Sequence, residues 1–184
     1  MKQKIERRKP EGLLDYLSLA VTTVGVGYLP LAPGTWGSLV AVGVYVLLAN
    51  IFGAYRFAPG SSGSELMIAS IHAAILIAFL LFTFLGVWAA GRSTELLGDL
   101  DPSQAVVDEV IGQLIVFLFI PFTTSWLLVG AGFIFFRLFD IWKPYPIDYL
   151  QNLPAGIGVC ADDILAGVYG GVCLSVVYAI SLSL

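Results

Sequence analysis

Residues Val110 to Phe136 read VIGQLIVFLFIPFTTSWLLVGAGFIFF, an uncharged stretch long enough to cross a bilayer once at a tilt. Pro121-Phe122-Thr123-Thr124-Ser125 stands in its middle, and a proline with three hydroxyl residues close behind is a turn signal. The stretch therefore reads either as one tilted span or as a hairpin of two short helices, about 108–120 and 125–140, each near ~20 Å long at ~1.5 Å per residue. The choice decides the fold, because it decides whether Asp108 and Asp140 share one side of a membrane.

Charge favours the hairpin. Cytoplasmic loops carry the excess of Lys and Arg. With the basic N-terminus inside and a hairpin in place, the N-terminal tail, 92–107 and 137–163 all lie inside and hold eight of the nine basic residues, leaving Arg56 outside. A single crossing would move Arg137 and Lys143 outside as well, giving six against three.

The rest of the chain places these helices in lipid. Of 184 residues, 58% are hydrophobic and 12% charged, against ~25% charged in soluble domains. Gly37 to Tyr55, Leu66 to Gly91 (titratable only at His72) and Ile164 to Leu184 read as spans. Asp15, Thr22, Thr23, Gly25 and Gly27 weaken Gly12 to Leu31 as a span, so it reads as an interfacial or re-entrant segment. The expected fold is all-α and polytopic, with four to five membrane helices including the hairpin at 108–140. Lys2, Lys4, Arg7, Arg8 and Lys9 make 1–11 a basic cytoplasmic tail against anionic headgroups, and 12–184 a single membrane-embedded domain. Pro59-Gly60-Ser61-Ser62-Gly63-Ser64 reads as a short outer loop. Cys160, in a loop, and Cys173, in a span, imply no disulfide framework. Membrane lipid is the expected partner and nucleic acid is not; oligomeric state stays open.

Under this topology the acids form a pattern. Asp108 and Glu109 open one hairpin helix, Asp140 closes the other, and Asp162 and Asp163 open the last span, all on the inner side. One such pair is as well explained by the helix dipole, which favours acids in a first turn. Three clusters on one face are not, because ionisable groups at membrane depth are costly. Their mutual repulsion calls for a hard divalent cation, and Mg²⁺ takes one or two carboxylates together with phosphate and water. Arg137, Asp140 and Lys143 share a helix face at a spacing of three. Arg grips phosphate with a planar fork and Lys offers a point charge, although both also serve as positive-inside anchors. Gly34, Thr35, Gly37 and Ser38, in Pro33-Gly34-Thr35-Trp36-Gly37-Ser38, can present backbone N–H groups to an anion. Gly156-Ile157-Gly158 allows a loop to pass close to a ligand, and Trp142 and Tyr145 suit an aromatic belt.

Four blocks in order, Leu31-Ala32-Pro33-Gly34-Thr35-Trp36-Gly37-Ser38, Val107-Asp108-Glu109 with Gly112, Phe136-Arg137-Leu138-Phe139-Asp140-Ile141-Trp142-Lys143-Pro144-Tyr145-Pro146-Ile147, and Gly156-Ile157-Gly158 followed by Asp162-Asp163-Ile164-Leu165-Ala166-Gly167, resemble the phosphatidylglycerophosphatase A family of magnesium-dependent bacterial membrane phosphatases. Where family members often carry a His or another polar residue before the Gly-x-Gly loop, this chain has Pro154-Ala155. The resemblance implies hydrolysis of phosphatidylglycerophosphate to phosphatidylglycerol, Mg²⁺ dependence and an inner-membrane location. In that reading Asp108, Glu109, Asp140, Asp162 and Asp163 hold one or two Mg²⁺ at the cytoplasmic face. Asp108, Glu109, Asp140 and Asp163 are the catalytic candidates, with water or an aspartate as nucleophile. Arg137, Lys143 and the backbone of Gly34, Thr35, Gly37 and Ser38 bind the phosphate.

Other classes predict different patterns. A histidine phosphatase needs a reacting His near the phosphate, and the single His72 lies within a span. An ion or proton-coupled transporter would carry its acids deep within spans. Asp99-Leu100-Asp101-Pro102-Ser103 resembles an aspartyl-nucleophile motif but follows no α/β pattern and reads as a turn.

Overall fold

The hairpin is present. In the computed structural model, which describes residues 5–53 and 62–183, helix α4 (Val107–Phe117) and helix α5 (Trp126–Trp142) are joined by an irregular segment around Pro121. The hydroxyl groups supply the hydrogen bonds that the broken helix gives up. The Thr123 N–H donates to the Tyr45 hydroxyl, and the Ser125 N–H donates to Thr123 Oγ1. Nine of the eleven residues of α4 are buried, so protein rather than lipid surrounds a helix too short to span.

One short helix precedes the long ones. Helix α1 (Leu13–Thr23) has 11 residues and ends on Val24 in the left-handed region. At ~1.5 Å per residue it covers about 16 Å, half of what a crossing needs. Helices α2 (Pro33–Gly53), α3 (Ser62–Leu97) and α7 (Ala155–Ser181) are long and apolar enough to cross a membrane. A short α6 (Ile147–Leu150) links α5 to α7, and no strand occurs among the described residues.

Helix boundaries correct several expectations. α2 starts at Pro33, a residue suited to a first helical position, so the Pro-Gly-Thr block is its first turn and not a preceding loop. α3 continues past Gly91 to Leu97. α7 starts at Ala155, nine residues before Ile164, so Asp162 and Asp163 stand about two turns inside the helix rather than opening it. Cys160 and Gly156-Ile157-Gly158 are therefore helical, not loop. Ser62, Gly63 and Ser64 begin α3, while Lys2, Lys4, Arg56 and 59–61 lie outside the described residues.

Small residues set how closely the helices approach, as in membrane bundles generally. A side chain at Gly167 would collide with the Gly112 carbonyl, and one at Gly112 would stand 2.5 Å from the Asp163 carbonyl, so α4 and α7 cross backbone to backbone. Gly156 meets α3 at Gly91, 2.6 Å from its amide nitrogen for an added side chain. The glycine pair near 156 thus serves packing against α3 and the 151–153 turn instead of a ligand-hugging loop. On the other flank Tyr45 stacks on Phe117, with ring centroids 4.0 Å apart, within a core that includes Phe136 and Leu174.

One end of the bundle gathers the polar chain. Val106 N–H donates to the Thr22 carbonyl, the Thr22 and Ser93 hydroxyls pair, and Arg8 N–H donates to the Glu95 carbonyl. Residues 5–8 of the basic segment are thus docked along the end of α3, where Arg7 Nε also donates to the Leu96 carbonyl. All six described Lys and Arg residues, Arg7, Arg8, Lys9, Arg92, Arg137 and Lys143, sit at this end.

Candidate metal and phosphate site

The crossing of α4 over α7 builds the site. Asp108 lies one turn before Gly112 and Asp163 one turn before Gly167, so the close glycine contact brings the two carboxylates together. Glu109 joins them: Asp108, Glu109 and Asp163 each offer an oxygen within 4.8 Å of the others, an arrangement that can hold a metal ion. Asp108, Asp140, Asp162 and Asp163 are buried.

Two cations frame the acids. Arg137 Nη1 stands 2.6 Å from Asp140 Oδ2 on the next turn of α5. The contact is one of charge rather than an aligned hydrogen bond, since Nη1 points no N–H at an acceptor. Lys143 Nζ donates to Asp162 Oδ2, tying the end of α5 to α7. Lys143 caps α5 in the left-handed region, φ 46°, a conformation that favours glycine. Pro144, next in the chain, disfavours continued helix at 143. Burial alone would lower the Lys143 pKa, but the carboxylate of Asp162, with Asp163 and Asp140 behind it, outweighs this and raises it above the ordinary value.

These groups line a cleft of about 900 Å³ with Gly34, Gln151 and Asn152. With Asp101 at the rim, six carboxylates therefore face two cations. Asp108 Oδ1, Glu109 Oε2 and Asp162 Oδ1 are buried without a hydrogen-bond partner. A buried, unpaired charge is costly, and a cation held by the cluster would offset it. The donor set is hard oxygen, with no His among the lining residues, which fits a Mg²⁺-like ion better than a soft metal.

The phosphate-binding candidates divide. A side chain on Gly34 would collide with the Glu109 carboxylate and stand 3.2 Å from Arg137 Nη1, so this glycine is at the centre of the site. Gly37 packs on Val106 and the Glu109 stem. Thr35 is outside the cleft lining, its N–H donating to the Ala32 carbonyl, and Ser38 Oγ donates to the Gly34 carbonyl within α2. Gln151 and Asn152 escaped the sequence reading; nothing marks them except polarity between two recognisable blocks. Trp142 and Tyr145 are exposed nearby. Cys160 is fully buried and, like Cys173, a free thiol.

Comparison with known proteins places the chain in a family. Residues 19–178 match the profile of a family described as Phosphatidylglycerophosphatase A. A Bacteroides thetaiotaomicron protein provisionally named phosphatidylinositol-3-phosphatase is 38% identical over 156 residues, 84% of this chain and 89% of that one. The Haemophilus influenzae phosphatidylglycerophosphatase A is 35% identical over 173 residues, 94% and 93% of the two chains. The Escherichia coli phosphatidylglycerophosphatase A is 34% identical over 145 residues, 78% and 73%. No solved structure matches significantly. On the strength of a match across nearly the whole chain, which includes every carboxylate of the cleft, this protein belongs to the phosphatidylglycerophosphatase A family.

Proposed function

We propose that the chain hydrolyses phosphatidylglycerophosphate to phosphatidylglycerol and inorganic phosphate, with Mg²⁺ as cofactor, at the cytoplasmic face of a bacterial inner membrane. The observation that carries this reading is the convergence of Asp108, Glu109 and Asp163, with orphaned buried oxygens, beside Arg137 and Lys143 in one cleft of a family member. The two relatives named phosphatidylglycerophosphatase A support the substrate. The gathering of the described basic residues at the site's end of the bundle supports a cytoplasmic orientation.

Asp108, Glu109 and Asp163 hold the metal, with Asp140 and Asp162 beside them; when bound, it polarises the phosphoryl oxygens and lowers the pKa of coordinated water. Arg137 and Lys143 neutralise charge on the phosphoryl group as it transfers. Asp140 orients Arg137, and Asp162 orients Lys143. Gly34 keeps the α2 backbone close to Glu109 and Arg137, where any side chain would displace the Glu109 carboxylate. A carboxylate of the cluster accepts the proton of the attacking water, or attacks phosphorus itself. The diacylglycerol portion remains in the leaflet while only the headgroup enters the cleft. An ion-transport reading draws support from the depth of Asp162 and Asp163, two turns inside α7. Family membership and the presence of Arg137 and Lys143 in the same cleft as the acids favour hydrolysis.

The test is phosphate release from phosphatidylglycerophosphate by the detergent-solubilised protein, with Mg²⁺ and then with EDTA, beside phosphatidylinositol 3-phosphate as comparator substrate. Turnover of phosphatidylglycerophosphate that stops in EDTA is expected. Turnover of the inositol lipid alone would move the substrate to that of the Bacteroides relative's name. No turnover of either refutes the reading.

A further inference from the structure

The two long helices that follow one another in sequence, α2 and α3, do not pack together: no Cα of one lies within 8 Å of a Cα of the other among the described residues. Both pack on α4 instead. The gap between them is an apolar slot of about 930 Å³, floored by Leu114 and Phe117 and walled by Val44, Leu48, Ile71 and Phe79. Its two polar side chains are already engaged, Tyr45 by the Thr123 N–H and His72 by the Ile68 carbonyl. Whatever fills the slot is therefore held mainly by apolar contact.

The slot continues the acidic cleft. Along α2, Gly34 lines the cleft while Val40 and Val44 line the slot. Along α4, Asp108 and Glu109 line the cleft while Val110 and Leu114 line the slot. Its wall on α3 runs from Ile68 to Phe82, about 21 Å at ~1.5 Å per residue. One leaflet's hydrocarbon is roughly half of ~30 Å thick, so a chain entering from the cleft's leaflet fits within it along its length.

We infer that the slot between α2 and α3 seats one acyl chain of the phospholipid substrate, so that the lipid reaches the carboxylates sideways from the bilayer with a chain held against α4. The inference rests on the proposed lipid phosphatase activity. It adds a second recognition element, distinct from the headgroup: the slot aligns the glycerol end of the lipid beneath the site. The slot lies between two helices that are each long and apolar enough to cross a membrane.

The test is photolabelling of the full chain, in vesicles, with phosphatidylglycerophosphate carrying a diazirine on one acyl chain, against phosphatidylcholine carrying the same group. The phosphatidylglycerophosphate probe is expected to label Val44, Phe79 and Leu114 about fivefold or more above the choline probe, a preference near 1 kcal/mol, with equal labelling of outward-facing Leu127 and Ile134. Equal labelling of the slot by both probes would make it ordinary boundary lipid and overturn the proposal. As a second arm, Leu114→Trp should lower kcat/KM for dipalmitoyl relative to dihexanoyl phosphatidylglycerophosphate about fivefold or more, with Ile134→Trp leaving that ratio unchanged. An unaffected ratio in Leu114→Trp contradicts the slot. A wild-type protein that labels in the slot yet releases no phosphate refutes the reaction and not the seat.

Discussion

Gly34 touches Glu109 across the α2–α4 interface with no room for a single methyl group between them. The atom in the way is the carboxylate end of a flexible side chain, not backbone. Gly34→Ala should therefore fold normally and displace Glu109 from its partners. A displacement of about 1 Å at a reacting centre costs on the order of a hundredfold in rate. kcat/KM should fall by about that factor, with a thermal midpoint close to wild type. Gly167→Ala is the counterpart: its methyl meets the Gly112 carbonyl, which cannot swing aside. That substitution should cost about 1–3 kcal/mol of stability. Thermal melts and kinetics of the two variants side by side separate the roles, and unimpaired turnover in Gly34→Ala would show that Glu109 does not act where it stands.

Asp108→Asn and Asp163→Asn probe the carboxylate cluster itself. Each removes one charge from a buried group in which acids outnumber cations. Without metal the variants should melt no lower than wild type, and higher if repulsion dominates. With metal the order should reverse, because a ligand that binds only the folded state raises its stability in proportion to occupancy. Activity should drop roughly a hundredfold or more, beyond the 10–100-fold typical for partners one shell further out. Melts with and without Mg²⁺ check this. A metal-dependent rise in melting temperature that survives in both variants would remove these residues from the ligand set.

Lys143 is held in a backbone conformation that ordinarily selects glycine, at the point where α5 stops and beside Asp162. Strain of this kind persists where surrounding structure over-determines it, often at functional sites. Lys143→Met keeps the apolar stem but leaves Asp162 buried without its cation. The expected loss is about tenfold to a hundredfold in kcat/KM, partly restored in Lys143→Arg, whose guanidinium still reaches phosphate and carboxylate. Equal kinetics in the Met and Arg variants would point to a structural cap alone.

Much of this was legible in the sequence because charge and turn chemistry are strong local signals. Pro121 with Thr123, Thr124 and Ser125 marks the hairpin, and the structure shows the reason: Tyr45 and the hydroxyls take over the backbone donors. The end of the bundle at which Asp108, Glu109 and Asp140 gather followed from the hairpin. The start of α7 did not. Pro154, Gly156 and Gly158 look like loop by propensity, yet Gly156 packs tightly against Gly91 within the first turn of α7. Tertiary contact overrode propensity, which is a weak prior, and Asp162 and Asp163 ended deeper than the charge pattern suggested. Ser38 illustrates a different limit. A hydroxyl near a helix start reads equally as an anion ligand or as a bond back to its own helix, and the second holds here.

Asp15 was likewise read only as a blemish in an apolar stretch, and it is held by two arginines and a backbone N–H. It is fully buried and grips Arg8 through both oxygens, at 2.7 and 3.0 Å. Arg92 Nε donates to Oδ1 and the Glu11 N–H to Oδ2, each at 2.7 Å. The Arg8 guanidinium first, then the Glu11 N–H and Arg92, hold its carboxyl well below the usual range despite burial. A folded pKa below the unfolded value means stability that is present above the unfolded pKa, about 4, and lost as pH falls towards the folded one. Asp15→Asn should therefore melt several degrees below wild type near neutral pH. The gap should narrow progressively below pH ~4 as the wild-type pairing is protonated away. Melts of both proteins from neutral to acid pH provide the check. A gap of constant size across that range would assign the loss to the changed shape of the side chain rather than to its charge.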